Sequence, residues 1–111
     1  MLVQSQAAVI ARNETWTGTV ATEPHEAGWA HEAIFFVRAL HDAIGKPGTA
    51  RVELSPDGMR WAPEGTVFDL PSKADEVTFA RVVHFGTWLR ISANLPDGAS
   101  LVVLVTLQLK G

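Results

Sequence analysis

Four histidines, His25, His31, His41 and His84, are the side chains of this sequence best suited to ligate a metal or move a proton. Glutamate follows two of them, giving His25-Glu26 and His31-Glu32 six residues apart. That spacing matches neither the i,i+4 pair that one helix face presents nor the i,i+2 pair of one strand face. Solvated polar positions are the simpler reading, so the sequence predicts no metal and no other cofactor. Cysteine is absent, which removes thiolate nucleophiles, disulfides and cysteine-based zinc or iron–sulfur sites together. No Gly-x-Ser-x-Gly elbow, phosphate-binding loop or dinucleotide fingerprint is present. Glu53, Asp57, Glu64 and Asp69 surround one predicted hairpin, where shaping turns and facing water are the default roles. Glycoside hydrolysis would need two of them to converge in space. The reading is therefore non-enzymatic.

Trp16, Trp29, Trp61 and Trp88 offer a different chemistry, stacking against sugar rings. Large aromatics more often fill a core, and indoles are enriched at protein contacts. Trp61 reads as a plug at the edge of a sheet. Trp16, Trp29 and Trp88, with Arg90 beside Trp88, read as protein-interface candidates, with glycan stacking as the alternative.

The elements that must position these residues are strands. Pro-Asp-Gly occurs twice, at Pro56-Asp57-Gly58 and Pro96-Asp97-Gly98, each between runs of alternating apolar and polar residues. Proline presets φ for the first corner, aspartate hydrogen-bonds its own backbone, and glycine accepts the left-handed conformation. Both turns are predicted to close hairpins. Residues 5–12 and 15–21 read as strands, and 22–30 as an irregular crossing between the two sides of the molecule. Segment 31–41 fits both a helix, with Trp29, Ala33, Phe36 and Leu40 on one face, and a strand. Its central Ile-Phe-Phe-Val favours the strand, because such residues lose less freedom on a pleated sheet.

Ala50, Val52 and Leu54 alternate with Thr49, Arg51 and Glu53 in a half-buried strand. Its return, through residue 70, is interrupted by Pro63 and Gly65, which predicts an edge position or a bulge. Val77, Phe79, Val83 and Phe85 mark an apolar face in which Arg81 falls in phase. Leu89, Ile91 and Ala93 share one side of the next strand, opposite Trp88, Arg90, Ser92 and Asn94. In the last strand Leu101, Val103, Val105, Leu107 and Leu109 form one face, and Val102 and Leu104 make the opposite face apolar too. Such a strand belongs in the middle of a sheet. The whole reads as one all-β domain over 1–111, an antiparallel β-sandwich of seven to eight strands, jelly-roll-like, with 1–30 as an N-terminal arm or edge segment.

Composition agrees. The chain has 111 residues, 47% hydrophobic and 19% charged, a balance that folds and suits a single core. Nine basic residues are scattered among twelve acidic ones for a net charge of −3, so nucleic acid is not an expected partner. No apolar run is long enough to cross a bilayer as a helix, and Met1 to Arg12 lacks the pattern of a secretory signal, so no membrane partner is expected either.

Two resemblances bear on function. Ser55-Pro56-Asp57-Gly58-Met59-Arg60-Trp61 loosely resembles the Asp-box hairpin of sialidase-like propellers, but Gly58 directly follows Asp57, one copy occurs, and the length excludes a propeller. A broader match spans residues 31–110: the apolar strand Ala33 to Leu40, the alternating strand Ala50 to Leu54, the Ser55-to-Trp61 hairpin, the stretch Phe85-Gly86-Thr87-Trp88-Leu89-Arg90, and a closing apolar strand ending at Lys110. In these it resembles small β-sandwich structural proteins of tailed bacteriophages, head-decoration or other accessory virion components. The resemblance implies a structural protein that binds the major capsid protein or another virion protein and stabilises the head lattice. It implies a homo-oligomer such as a trimer, made in the host cytoplasm and placed on the virion head surface. Trp16, Trp29, Trp88, Arg90, Val102 and Leu104 are the candidate contacts. The rival reading is a carbohydrate-binding or tail-associated adhesion module.

Overall fold

The computed structural model describes residues 4–111. Nine strands follow one another: β1 (Ser5–Trp16), β2 (Thr19–Ala21), β3 (His25–Glu26), β4 (Glu32–Ala39), β5 (Thr49–Ser55), β6 (Ala62–Asp69), β7 (Val77–Val83), β8 (Trp88–Asn94) and β9 (Leu101–Lys110). They form two antiparallel sheets, a four-stranded sheet A in the order β1-β9-β4-β7 and a five-stranded sheet B in the order β2-β8-β5-β6, with β3 also on β8. The first strand pairs with the last and the chain keeps crossing between sheets, which is the jelly-roll wrapping of a β-sandwich. Segment 31–41 is a strand, as its branched and aromatic residues predict.

The core lies between the inner faces. Sheet A contributes Phe35 and Val37 of β4 and all five odd-numbered residues of β9 from Leu101 to Leu109; sheet B contributes Val52, Leu89 and Ile91. All ten are at most 1% exposed. β2 and β3 are one edge strand broken at Pro24, because both lie on the same side of β8. At the break the buried hydroxyl of Thr22 accepts the Ile91 N–H at 3.1 Å, while its own N–H donates to the Ile91 carbonyl at 2.9 Å, so the ladder stays satisfied.

Several expectations need correction. Only the first Pro-Asp-Gly closes a hairpin, between β5 and β6. The second sits in Leu95 to Ser100 and carries the chain from β8 in sheet B to β9 in sheet A. Its turn is made, with the Ala99 N–H on the Pro96 carbonyl at 3.0 Å, but Leu95 and Ala99 are buried and close the end of the sandwich. Turn chemistry reverses the chain; which sheet receives it depends on what the flanking residues must cover.

The predicted gap between residues 12 and 15 is absent, since β1 continues to Trp16 through two register shifts, with Asn13 at φ 52° next to the second. Asparagine tolerates that left-handed bulge. β6 meets its prediction twice, lying at the edge of sheet B with a register shift against β5 between Arg51 and Glu53. In β5 itself the alternation is blurred, with Glu53 buried and Leu54 only half-buried.

β7 shows the largest reversal. Ala80 and Val82 face the core while Val77, Phe79 and Val83 point to solvent at 48, 48 and 51% exposure. Ala80 lies opposite the fully buried Phe35. Phe85 does reach the core, because His84 at φ 57° shifts the phase after the strand ends.

Candidate functional site

The outer face of sheet A is built from even-numbered residues of β4 and β9 and odd-numbered residues of β7. In register across it stand Val9, Thr106, Phe36 and Phe79, flanked on one side by Gln108, Ile34 and Arg81 and on the other by Leu104, Arg38 and Val77. Phe36 and Phe79 meet at 6.1 Å between ring centroids, tilted by 41°. The Arg81 guanidinium lies 5.2 Å from the Phe79 centroid, a cation–π contact that leaves its charge without a carboxylate among the described residues. Arg38 reaches only the exposed Asp75, at 3.9 Å. Phe36, Arg38, Val77, Leu104, Thr106 and Gln108 surround a shallow depression of about 250 Å³. Nothing in the described chain packs on this face. Outer faces of such sheets are commonly polar, whereas here Val9, Phe36, Val77, Phe79 and Leu104 form an apolar patch among the polar residues.

The outer face of sheet B has the opposite character. Glu53 on β5 stands opposite Arg90 on β8, and Arg90 Nε donates to Glu53 Oε1 at 2.7 Å. Arg51 Nε approaches the other carboxylate oxygen at 3.5 Å. The Arg90 guanidinium is stacked over Trp61, 4.2 Å from the ring centroid. Burial of Glu53 would raise its pKa, but the hydrogen bond and charge of Arg90, helped by Ser92 and Arg51, outweigh that and hold it below the ordinary carboxylate range. Arg51, Arg90 and Glu53 pair with one another and offer an incoming ligand little.

At the end of the same sheet the Ser55-to-Trp61 loop is organised by its own polar atoms. The Ser55 hydroxyl accepts the N–H groups of Asp57 and Gly58 at 3.2 and 2.9 Å and donates to Asp57 Oδ1 at 3.0 Å. Asp57 Oδ1 also accepts the N–H groups of Met59 and Arg60, both at 2.9 Å. The bonds from Arg60 and Met59 lower the Asp57 pKa to about 2. Gly58 lies under Trp88, so close that a Cβ there would sit 3.2 Å from the indole.

The six predicted contact residues are scattered. Val102 and Leu104 lie half-buried on the outer face of sheet A, Trp88 and Arg90 half-buried on the opposite outer face. Trp16 is inside the core at 2% exposure, its indole Nε1–H on Glu14 Oε1 at 3.2 Å. Trp29 is 38% exposed near the N-terminal end of β1, beside Gln4, Ser5 and Gln6. The residues that sequence reasoning missed are Phe36, Val77, Phe79 and Val83. Arg81, in phase with three of them, was the available signal that this face is outside. His31, His41 and His84 are exposed and His25 half-buried, and among the described residues no three histidine or carboxylate side chains come together.

The sequence matches no protein-family profile and no curated protein. Solved structures do share the fold. The SPBc2 prophage-derived protein YomS superposes with a TM-score of 0.65 at 8% identity, over 100% of this chain and 96% of that one. The PBSX exported protein XepA gives 0.58 at 12% identity, over 97% of this chain but 36% of its own length. CpGH89CBM32-5 from Clostridium perfringens, solved in complex with GalNAc-β-1,3-galactose, gives 0.52 at 10% identity, over 93% of this chain and 94% of that one. At such identities the likeness is one of fold.

Proposed function

We propose that this protein is a non-enzymatic accessory component of a tailed-phage virion, a head-decoration subunit that docks on the lattice of the major capsid protein and stabilises it. The observation that carries this reading is the unpartnered apolar outer face of sheet A. Phe36, Phe79, Val77 and Leu104 supply area whose removal from water favours association, and Arg38 and Arg81 supply positive charge for carboxylates around an apolar contact. The fold shared end to end with a prophage-derived protein supports it. No cofactor enters. The mechanism is linkage: a subunit that binds only the assembled shell shifts the equilibrium towards assembly by mass action.

The test is to mix the purified protein with undecorated capsids and measure co-sedimentation and rupture temperature. The reading predicts binding and a raised rupture temperature, both lost in Phe79→Asp and Leu104→Asp. No co-sedimentation and an unchanged rupture temperature overturn it.

Trp29 favours one second reading, carbohydrate binding by a tail-associated adhesion module, because its indole is partly exposed beside the polar side chains of Gln4, Ser5 and Gln6. Glycan-array binding that Trp29→Ala abolishes would carry that reading, and an array blank for the unaltered protein would dismiss it.

A further inference from the structure

Every open sheet has two edges whose backbone groups can recruit another strand, and proteins blunt them. Three of the four edges here are blunted. β1 is broken by two register shifts, β2 is three residues long and stops before Pro24, and β6 carries Pro63, Gly65 and a register shift against β5. β7 is not. It lies near β6 of sheet B, yet it runs from Val77 to Val83 in unbroken register with β4, without proline, glycine or lysine, and among the described residues it pairs with no other strand. Ala39 gives its N–H to Glu76 and takes the N–H of Asp75, while Leu40 donates to Val102. Odd-numbered residues of β4 therefore bond towards β7 and even-numbered ones towards β9. By the alternation of an antiparallel ladder, Thr78, Ala80 and Val82 bond to β4, which turns the N–H and C=O groups of Val77, Phe79, Arg81 and Val83 outwards.

We infer that β7 is a homodimer edge, at which β7 of a second copy adds in antiparallel fashion about a two-fold axis through Ala80 to make one continuous eight-stranded sheet. The side chains select both the occupant and the register. With the axis at Ala80, all four outward-bonding residues find partners, Val77 opposite Val83 of the second copy and Phe79 opposite Arg81, giving about eight backbone hydrogen bonds. Each Arg81, which has no carboxylate among the described residues, then lies beside a second phenyl ring as well as its own. Moving the axis to Arg81 sets like charges directly opposite, and moving it to Phe79 leaves Val83 facing Asp75, beyond the strand. The matched register is self-complementary, as a two-fold interface must be. It joins the two apolar outer faces into one surface, and it makes a dimer where the phage resemblance implies a trimer.

The absence of cysteine makes this testable by cross-linking. Opposed residues of a hydrogen-bonded pair lie about 5.5 Å apart at Cα, within disulfide range. Positions 77 and 83 of one chain, and position 77 of the two copies, are instead separated by about 20 Å of strand. The double variant Val77→Cys/Val83→Cys should oxidise to a covalent dimer, while neither single variant does. In sedimentation equilibrium the unaltered chain should dimerise. Phe79→Pro removes an outward N–H that has no partner among the described residues of the monomer, and should weaken the dimer by about tenfold or more with unchanged far-ultraviolet circular dichroism. A monomeric unaltered chain overturns the inference, as does a folded double variant that fails to cross-link. Capsid co-sedimentation is a separate readout, so failed docking leaves the pairing intact.

Discussion

Arg90 and Glu53 face each other across β8 and β5 on the outer side of sheet B, joined at 2.7 Å, with 24% and 11% of their side chains exposed. Trp61 covers the guanidinium from outside, so the pair is shielded on the side where an exposed ion pair would meet water. Arg90→Ala should destabilise the fold by about 2 kcal/mol, since it leaves a mostly buried carboxylate with only Arg51, whereas an exposed pair contributes about 0–1 kcal/mol. Urea unfolding of Arg90→Ala and, as the exposed control, Arg38→Ala measures the difference.

Acid should weaken the fold in a defined order. Asp57 and Glu53 have pKa values lowered on folding, so each contributes stability that is fully present above its unfolded value and lost as pH falls through its folded value. For Asp57 that window runs from 3.8 down to about 2, and for Glu53 it opens at 4.5. Stability followed by urea titration should be flat above pH 5 with respect to both groups and fall below it. Glu53→Gln should flatten the upper part of the fall and Asp57→Asn the lower. Amide exchange should also quicken at Met59 and Arg60 in Asp57→Ala, because their acceptor is gone.

Gly58 and Gly98 occupy the same place in the two Pro-Asp-Gly turns and have similar φ, +77° and +83°. Gly58 lies against the Trp88 indole, and Gly98 has nothing within 4 Å of where a Cβ would stand. Gly98→Ala should cost about 1 kcal/mol of backbone strain, and Gly58→Ala about 1–2 kcal/mol more because the indole must move. Tryptophan fluorescence should change only in the second variant.

Phe35 and Phe79 sit on neighbouring strands and on opposite faces of sheet A, 0% and 48% exposed. Phe35→Ala should cost about 3–5 kcal/mol through the cavity it opens. Phe79→Ala should change monomer stability by under about 1 kcal/mol yet remove docking and weaken self-association. Thermal unfolding beside capsid co-sedimentation separates the two effects.

Much of this architecture is readable from residue order. β9 alternates throughout and β5 as far as Val52, because a strand has a period of two, and the first turn is written in Ser55 to Gly58. The face of β7 is not, although its residues alternate just as clearly. Ala80 and Val82 face inwards, Ala80 opposite the fully buried Phe35, a pairing made with a strand some forty residues away in sequence. The same limit governs the interface candidates. Indole rings attract attention by type, yet Trp16 fills the core and Trp61 stacks on Arg90, while Phe36 and Phe79 gather into a surface.

Local order alone thus determined that the chain is β, where it turns, and which residues of its last strands meet in a core, because backbone preference and two-residue periodicity act over a few neighbours. Tertiary structure alone decided which sheet receives β9, which side of β7 faces water, and that Glu53 has Arg90 for a partner. Each of those depends on the volume and charge that distant strands bring to the same place.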